Sequence, residues 1–301
     1  MSIAYLVLAH TAPEQVARLV GRLSDPRDSV IVHVDRRSDA RPFEAAFARL
    51  PIAPIMTPRR TPVHWAGYGI VAATLILMRT ALAQPRTFSH LVLISGADYP
   101  IRSNDELHEF FAGHPGESFM SWSAGDHPAP VSDEQRRGNA EWYWSGDLHR
   151  LTSWTISVRG RRWQFPSERV PYQIPRRLPR GLRTPYQGSA WWNLTPEAAD
   201  YCLRFLRRRP DAAAYFRFVL MADENVFQMI LLAAGSPLRD TIVNEDLRYM
   251  HWAGNSPPTL TAAEVPEMRA SRKLFARKLD LATEPATYDA LDAAAGVAPA
   301  A

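Results

Sequence analysis

Residues 91–107 read LVLISGADYPIRSNDEL, and this stretch decides the fold class. An apolar run of β-formers stops at Ser95-Gly96. A lone acid follows, Asp98, then Tyr99-Pro100, and Ser103 and Glu106 stand at the spacing of a capping box that opens a helix. The reading is a buried strand, a polar loop and a helix. In open α/β sheets such strand ends are where ligands sit.

Outward from this stretch the pattern repeats. Ile3 to Ala9 reads as a buried first strand, and Thr11 to Leu23 has helical spacing with Val16, Leu19, Val20 and Leu23 on one face. Ser29 to Val34 reads as a second strand, ending in Asp35-Arg36-Arg37-Ser38. Phe43 to Leu50 and Ile70 to Leu82 read as helices, and Leu91 to Ile94 is the central strand. Strands alternating with helices predict an α/β fold with a mixed, mostly parallel sheet. Further on, Gly188 to Leu194 reads as a short strand, and Thr195 caps a helix with Pro196 in its first position. Asp223 is placed to cap a helix over Glu224 to Leu232, and Thr261 with Glu264 forms another capping box. The expected organisation is one domain over residues 1–280, interrupted by an irregular Pro-, Arg- and Trp-rich insertion at 125–186. An Ala-rich tail at 281–301, weakly patterned, is expected to fray.

Composition narrows the class. A hydrophobic content of 46% in 301 residues suffices for a substantial core. One cysteine, Cys202, excludes an internal disulfide framework and suits a reducing compartment. The apolar run near Met1 lacks a basic leader and is too short for a signal peptide, and no segment has the ~18 apolar residues of a span. The expectation is a soluble cytoplasmic protein, with peripheral membrane contact left open. Net charge is +4, and almost every cation is arginine; the two lysines, Lys273 and Lys278, fall in one short motif. The Arg- and Ala-rich composition points to a GC-rich bacterial source. There is no Asp-x-Asp and no Gly-rich phosphate loop, and the nine histidines show no ligand spacing, so no metal site is proposed.

Several side chains carry two readings. Asp35, at a strand end, is either a nucleotide contact or a turn cap. Asp98 either contacts a donor sugar or organises its loop; a single acid is a poor divalent-metal site. Glu224, at an expected helix N-terminus, is either a resting carboxylate base or an ordinary first-turn acid. Arg272, Lys273, Arg277 and Lys278 in SRKLFARKLD are either a solvated basic helix end or a clamp on a diphosphate. The segment 150–183 holds nine arginines and one acid beside Trp154, Trp163 and Tyr172. A solvated loop is its first reading, ahead of an anionic glycan, a lipid headgroup or nucleic acid, for which no module is recognised. Trp122, Trp142, Tyr143, Trp144, Trp191, Trp192 and Trp252 could pack on sugars, though most tryptophans are core or interface residues.

In order along the chain stand YLVLAH (5–10), IVHVDRRSD (31–39), LISGADYPIRSNDEL (93–107), GSAWWNLT (188–195), ADENVFQMIL (222–231), a Trp-containing strand at Tyr249 to Trp252, and FARKLD (275–280). Together these resemble the core-2/I-branching N-acetylglucosaminyltransferases and peptide O-xylosyltransferases, glycosyltransferase family 14. The resemblance implies a fold of the GT-A type and an inverting transfer from a UDP-sugar without a divalent metal or other cofactor. It implies Glu224 as the base, Lys278 on the donor diphosphate, Asp35 at the uridine end and Trp252 near the acceptor sugar. Trp191 falls in a matching motif and is taken as a second acceptor contact. Two positions depart. Ala190 stands where xylosyltransferases have an acid, which argues against that form of the site and leaves Glu224 as the base. Asn255-Ser256-Pro257-Pro258 replaces a region that supplies a second diphosphate cation, so Arg272 or Arg277 is expected to take its place.

The mechanism so implied is a single displacement. Glu224 takes the acceptor hydroxyl's proton, and Lys278 with one arginine offsets charge on the departing UDP. N-acetylglucosamine is the leading donor sugar, with xylose and glucuronic acid as alternatives. The expected partners are the UDP-sugar and a glycan or lipid-linked glycan acceptor at the cytoplasmic face. The rival readings are a lapsed glycan-binding protein of the same fold and, ranked with it, a nucleic-acid binder using residues 150–183.

Overall fold

In the computed structural model of the chain, residues 1–124, 151, 153–158, 161–165, 176–252 and 256–297 are described. The first half alternates as its periodicity predicts. Strand β1 (Ile3–Ala9) leads to helix α1 (Pro13–Leu23), β2 (Ser29–Val34), α2 (Arg41–Phe47), β3 (Ile55–Met56), α3 (Gly69–Leu82) and β4 (His90–Ser95). A two-residue loop then gives β5 (Asp98–Pro100) and α4 (Asn104–Gly113), and the capping box forms: Ser103 Oγ accepts from Glu106 N–H, and Glu106 Oε2 accepts from Ser103 N–H at 2.6 Å. Short strands β6 (Ser118–Met120) and β7 (Ser123–Ala124) follow. The helix expected over Phe43 to Leu50 starts two residues earlier, with Pro42 in its first turn, and closes at Phe47.

In the second half, β8 (Trp154–Val158) and β9 (Arg161–Phe165) form an antiparallel hairpin. Next come β10 (Tyr186–Gln187), β11 (Trp192–Leu194), α5 (Pro196–Arg208), α6 (Pro210–Phe216), a 3-10 turn (Ala222–Glu224), α7 (Val226–Leu231), β12 (Ile242–Val243), β13 (Arg248–Tyr249), α8 (Val265–Ala270), β14 (Phe275–Arg277) and α9 (Pro285–Ala294). Thr195 caps α5 as expected, its hydroxyl accepting from Ala198 N–H. Of the expected insertion, 125–150 and 166–175 lie outside the described residues, and with them Trp142, Tyr143, Trp144 and Tyr172. One arginine of its basic stretch is buried instead of solvated. Arg176 is buried, donates to the carbonyls of Ser153 and Tyr215 at 2.6 and 2.5 Å, and stacks on Trp154 and Tyr215.

The central sheet has seven strands in the order β12-β6-β11-β4-β1-β2-β3. β4, β1, β2 and β3 run parallel, β11 runs antiparallel to β4 and β6, and β6 runs parallel to β12. The mixed, mostly parallel α/β sheet is thus present. Alternation along β1 feeds two cores. Ile3, Tyr5 and Val7 pack with Val16, Leu19, Val20 and Leu23 of α1, while Ala4 and Leu6 face the core that contains Val71, Leu75 and Met78 of α3. The chain moves outward from β1 to β2 and β3, then returns to place β4 on the other side of β1. In open α/β sheets ligands sit outside the carboxyl ends at such a reversal, which here falls at the ends of β1 and β4.

A second sheet, β13-β14-β5, stands against this end. The segment 271–280, one reading of which is a helix end, instead contributes the short strand β14, because Phe275 and Ala276 are fully buried between two strand partners. The expected fraying after Leu281 is also overturned. Helix α9 buries Tyr288 and Leu291, and its Asp292 accepts from Tyr99 Oη at 2.9 Å and from Arg18 at 2.8 Å. Among the described residues no helix is long and apolar enough to cross a membrane.

Candidate functional site

The carboxyl ends of the parallel strands gather most of the polar residues singled out in the sequence. Asp35 follows β2 and is 5% exposed. Its Oδ1 accepts from Arg37 N–H at 2.9 Å and from Val63 N–H at 3.1 Å, so the carboxylate caps its own turn and clips the loop after β3. His33 holds the same loop from inside the sheet, its Nε2 accepting from Thr61 N–H at 3.0 Å. That bond needs a neutral ring, and burial pushes the His33 pKa down, which keeps it neutral. Gly69 lets α3 start against this loop; a Cβ there would lie 2.4 Å from Pro62 O.

On the other side of β1, just after β4, Asp98 is 1% exposed. Its Oδ2 accepts from Ser95 N–H at 2.7 Å, Ser95 Oγ at 2.5 Å and Arg277 Nη1 at 3.0 Å; Arg277 also bonds Ser95 Oγ. Its Oδ1 faces Arg248 Nε at 3.6 Å, with both side chains sealed from solvent. Of the two readings kept for Asp98, this geometry fits the loop organiser: the carboxylate is enclosed by its loop and two guanidinium groups. Arg277 lies over the Trp191 ring, 4.6 Å from its centroid, so that ring has a cation partner the sequence did not indicate. Lys278 follows, half-buried, its Nζ 2.9 Å from Ser256 Oγ. Burial, and then the neighbouring Arg277, lower its pKa.

Gln15 of α1, missed in the sequence, ties these loops together. Its amide donates to Gly96 O at 2.6 Å and Leu279 O at 3.3 Å, and accepts from Leu281 N–H at 2.8 Å. The loops that flank Asp98 and Lys278 thus share one buried amide.

Glu224 comes to the same edge by another route. The helix expected to open at Glu224 opens two residues later, at Val226, and Asp223 does not cap it; both acids lie in the preceding 3-10 turn. Glu224 O accepts from Gly188 N–H at 2.8 Å, and Met221 N–H donates to Ala66 O at 3.0 Å. The turn is thereby tied to the strand end carrying Trp191 and to the loop clipped by Asp35. Gly188 is required there, because a Cβ would sit 1.8 Å from Ser121 O. Below it, Gln228 donates to Ser189 O at 2.8 Å and Asn225 to Tyr186 O at 3.1 Å. Trp192 is fully buried against Phe227, a core residue and not a sugar platform. Trp252, beyond β13, is 36% exposed and lies at the same end of the second sheet as Lys278, since β13 and β14 run parallel. Asn255 is outside the described residues.

The structure thus brings Asp35, Asp98, Trp191, Glu224, Trp252, Arg277 and Lys278 to one edge. It does not bring Arg272. That residue is exposed at the other end of β14, beside Arg102, which donates to the carbonyls of Ser271 and Lys273. A strand separates Arg272 from Lys278 where a helical reading had placed them on one basic face, so Arg277 is the arginine that accompanies Lys278. At the opposite edge of the sheet, Asp25, Asp28 and His108 bring ligand-type atoms within 4.8 Å of one another. Arg27 grips Asp25 there, and Asp28 accepts from Ile3 N–H and His108, so the group is a clamp between elements.

An open, mostly parallel α/β sheet with cations and carboxylates gathered at its carboxyl edge defines a ligand-binding α/β protein. The chain belongs to the core-2/I-branching enzyme family, whose model matches residues 3–273. It is similar to xylosyltransferase 1 of Canis lupus familiaris, 25% identical over 254 residues, covering 83% of this chain and 24% of that protein. It is also similar to beta-glucuronosyltransferase GlcAT14A of Arabidopsis thaliana, 24% identical over 297 residues, covering 91% of this chain and 60% of that one. The chain therefore spans a quarter to three-fifths of the length of these two relatives. Among solved structures, the apo form of mouse xyloside xylosyltransferase 1 aligns with a TM-score of 0.35 at 13% identity, over 77% of this chain and 82% of that one.

Proposed function

We propose that this chain is a glycosyltransferase that moves a sugar from a UDP-sugar to a hydroxyl of a glycan acceptor, inverting the anomeric centre without a divalent metal. The observation that carries the reading is the meeting of the Glu224 turn, Trp191 and the Arg277–Lys278 pair at the carboxyl edge. Membership of the core-2/I-branching family supports the reaction class, as do relatives named for xylosyl and glucuronosyl transfer.

In this reading Asp35 meets the uridine end, and Arg277 with Lys278 meets the diphosphate. Glu224 removes the proton of the acceptor hydroxyl as its oxygen attacks the anomeric carbon. The bond from that carbon to the diphosphate oxygen breaks, and its electron pair leaves with UDP. Two cations in a half-buried site can stabilise that charge as a metal would. The downward shift of the Lys278 pKa, set by burial and then by Arg277, is reversed once an anion arrives beside it. Trp252, and Trp191 beside Arg277, border the acceptor side. N-acetylglucosamine is the donor sugar the family resemblance favours, and Ala190 disfavours xylose. The acceptor proposed is a glycan, free or lipid-linked, at the cytoplasmic face of a bacterial membrane.

The test is calorimetric titration with UDP-N-acetylglucosamine, UDP-xylose and UDP-glucuronic acid, with and without EDTA. Binding of one of them that survives EDTA is the expected result. Binding that requires Mn²⁺ removes the metal-free part of the reading, and no nucleotide binding removes the transferase.

A further inference from the structure

Arg248 has no part in the mechanism above, yet it is 3% exposed, and burying a guanidinium is costly unless it is fully engaged. Its two Nη nitrogens are hydrogen-bonded, and its buried Nε makes no hydrogen bond. Nη2 donates to Leu93 O at 2.8 Å and Nη1 to Asp246 O at 3.0 Å, while the group lies 4.6 Å from the Phe275 ring centroid. Its Nε faces Asp98 Oδ1 at 3.6 Å as an ion pair. Arg248 is thus fixed to β4 and to the turn before β13, and sets its Nε charge against the carboxylate whose other oxygen holds Arg277.

From this arrangement we propose that Arg248 is a positioning residue for donor binding: acting through Asp98, it fixes the Arg277 guanidinium over Trp191 so that Arg277 and Lys278 meet the diphosphate as a pair. The proposal rests on the transferase reading above. Both arginines face the Asp98 carboxylate, and Asp246 beside Arg248 adds a second acid on that side only. A carboxylate held by Arg277 alone would draw that guanidinium inward and quench it. With Arg248 occupying Oδ1, Arg277 keeps positive charge to offer to an anion. The Ser95 hydroxyl, bonded to both Asp98 and Arg277, sets the angle.

The experiment is a double-mutant cycle on affinity for UDP, with uridine as the ligand that lacks the diphosphate. Wild type, Arg248→Met, Arg277→Met and the double variant are titrated calorimetrically. Losing one oriented charge-assisted contact is expected to weaken UDP about 10-fold in Arg248→Met and to leave uridine within about 2-fold. In the Arg277→Met background, Arg248→Met should cost less than about 2-fold further, because the two residues act as one unit. Equal losses for UDP and uridine, or the same loss in both backgrounds, would mean that Arg248 only supports the fold, and the proposal falls. Should Arg248→Met not fold, Arg248→Lys takes its place, since it keeps a buried cation while removing the guanidinium nitrogens that face Asp98 and Leu93. A UDP loss confined to the background with Arg277 present supports the proposal, and a loss independent of Arg277 overturns it. If wild type binds no UDP, the transferase reading fails and takes this proposal with it. UDP binding with an additive cycle removes the proposal alone.

Discussion

The two edges of the central sheet use the same residue types to opposite ends. At the amino edge Asp28 is closed off: Oδ1 accepts from Ile3 N–H at 2.8 Å, Oδ2 meets His108 Nε2 at 2.9 Å, and Arg27 grips Asp25 with two nitrogens. At the carboxyl edge one buried carboxylate, Asp98, stands between two arginines, and Lys278 rests on a serine hydroxyl. Acids closed onto backbone, a histidine and one guanidinium make a clamp, while a lysine held only by a hydroxyl can still meet an anion. The parallel topology decides which edge becomes which. The loops after β1, β2 and β4 converge only at the carboxyl end, next to the reversal around β1.

The contrast breaks most visibly at Glu224. Glu224→Gln keeps the shape of the turn and removes the base. It is expected to cut transfer by about 10²- to 10⁴-fold while UDP affinity stays within about 2-fold. Wild-type turnover in this variant would remove Glu224 from the chemistry. Next in size is Lys278→Met, which takes a charge from the leaving group; kcat should fall about 10²- to 10³-fold, and UDP affinity should fall with it. A Lys278→Met enzyme that binds UDP as tightly as wild type would show that Lys278 serves something other than the diphosphate.

A smaller effect sharpens the comparison through pH. Neutral His33 accepts the Thr61 N–H that holds the loop clipped by Asp35, and burial lowers its pKa from the ordinary value near 6.5. Between the two values the unfolded chain binds the proton and the folded chain does not, so stability falls as pH falls. His90, also buried, shifts in the same direction. Stability is therefore full above about pH 6.5 and declines below it. Uridine affinity should weaken a few-fold between about pH 7.5 and 5.5 as the loop loosens. In His33→Gln, whose amide can accept the same N–H, the loss of uridine affinity should flatten. An unchanged slope in that variant would assign the pH effect elsewhere.

Much of this architecture was legible because it is local. The β1 and β2 runs, the Ser103–Glu106 box and the Thr195 cap each depend on residues within four positions. The candidate edge was legible only as separate fragments, through Asp35, Glu224 and the FARKLD motif. What joins the fragments is non-local: Gln15 reaches Leu279 across 264 positions, and Arg248 reaches Leu93 across 155. A charged residue between Leu247 and Tyr249, both buried, was the available sign that Arg248 is buried and paired. The basic run 271–280 looked helical because cations every few residues fit that period. Its β pairing comes from Asp98-Tyr99-Pro100, far away in sequence. Helix α9 was hidden by its alanines, which mark no face; Tyr288, Leu291 and Asp292 anchor it only once Tyr99 and Arg18 are in place.

The smallest effect on nucleotide handling, and the firmest check on the contrast, belongs to the amino edge. Asp28→Ala strands two buried donors, Ile3 N–H and the His108 ring. Each orphaned group costs about 1–3 kcal/mol, so urea denaturation should report a loss of roughly 2–4 kcal/mol. The nucleotide is expected to notice none of this. The clamp joins the start of β1 to α4, the full length of a strand from Asp35 and Lys278, and the charges at the carboxyl edge keep their partners. UDP affinity, measured where the variant is still folded, should therefore match wild type within about 2-fold, as expected for sites without shared contacts. A tenfold weaker UDP complex at full foldedness would mean that strain passes along β1 and β2 from one edge to the other. The amino edge would then be part of the site it was contrasted with.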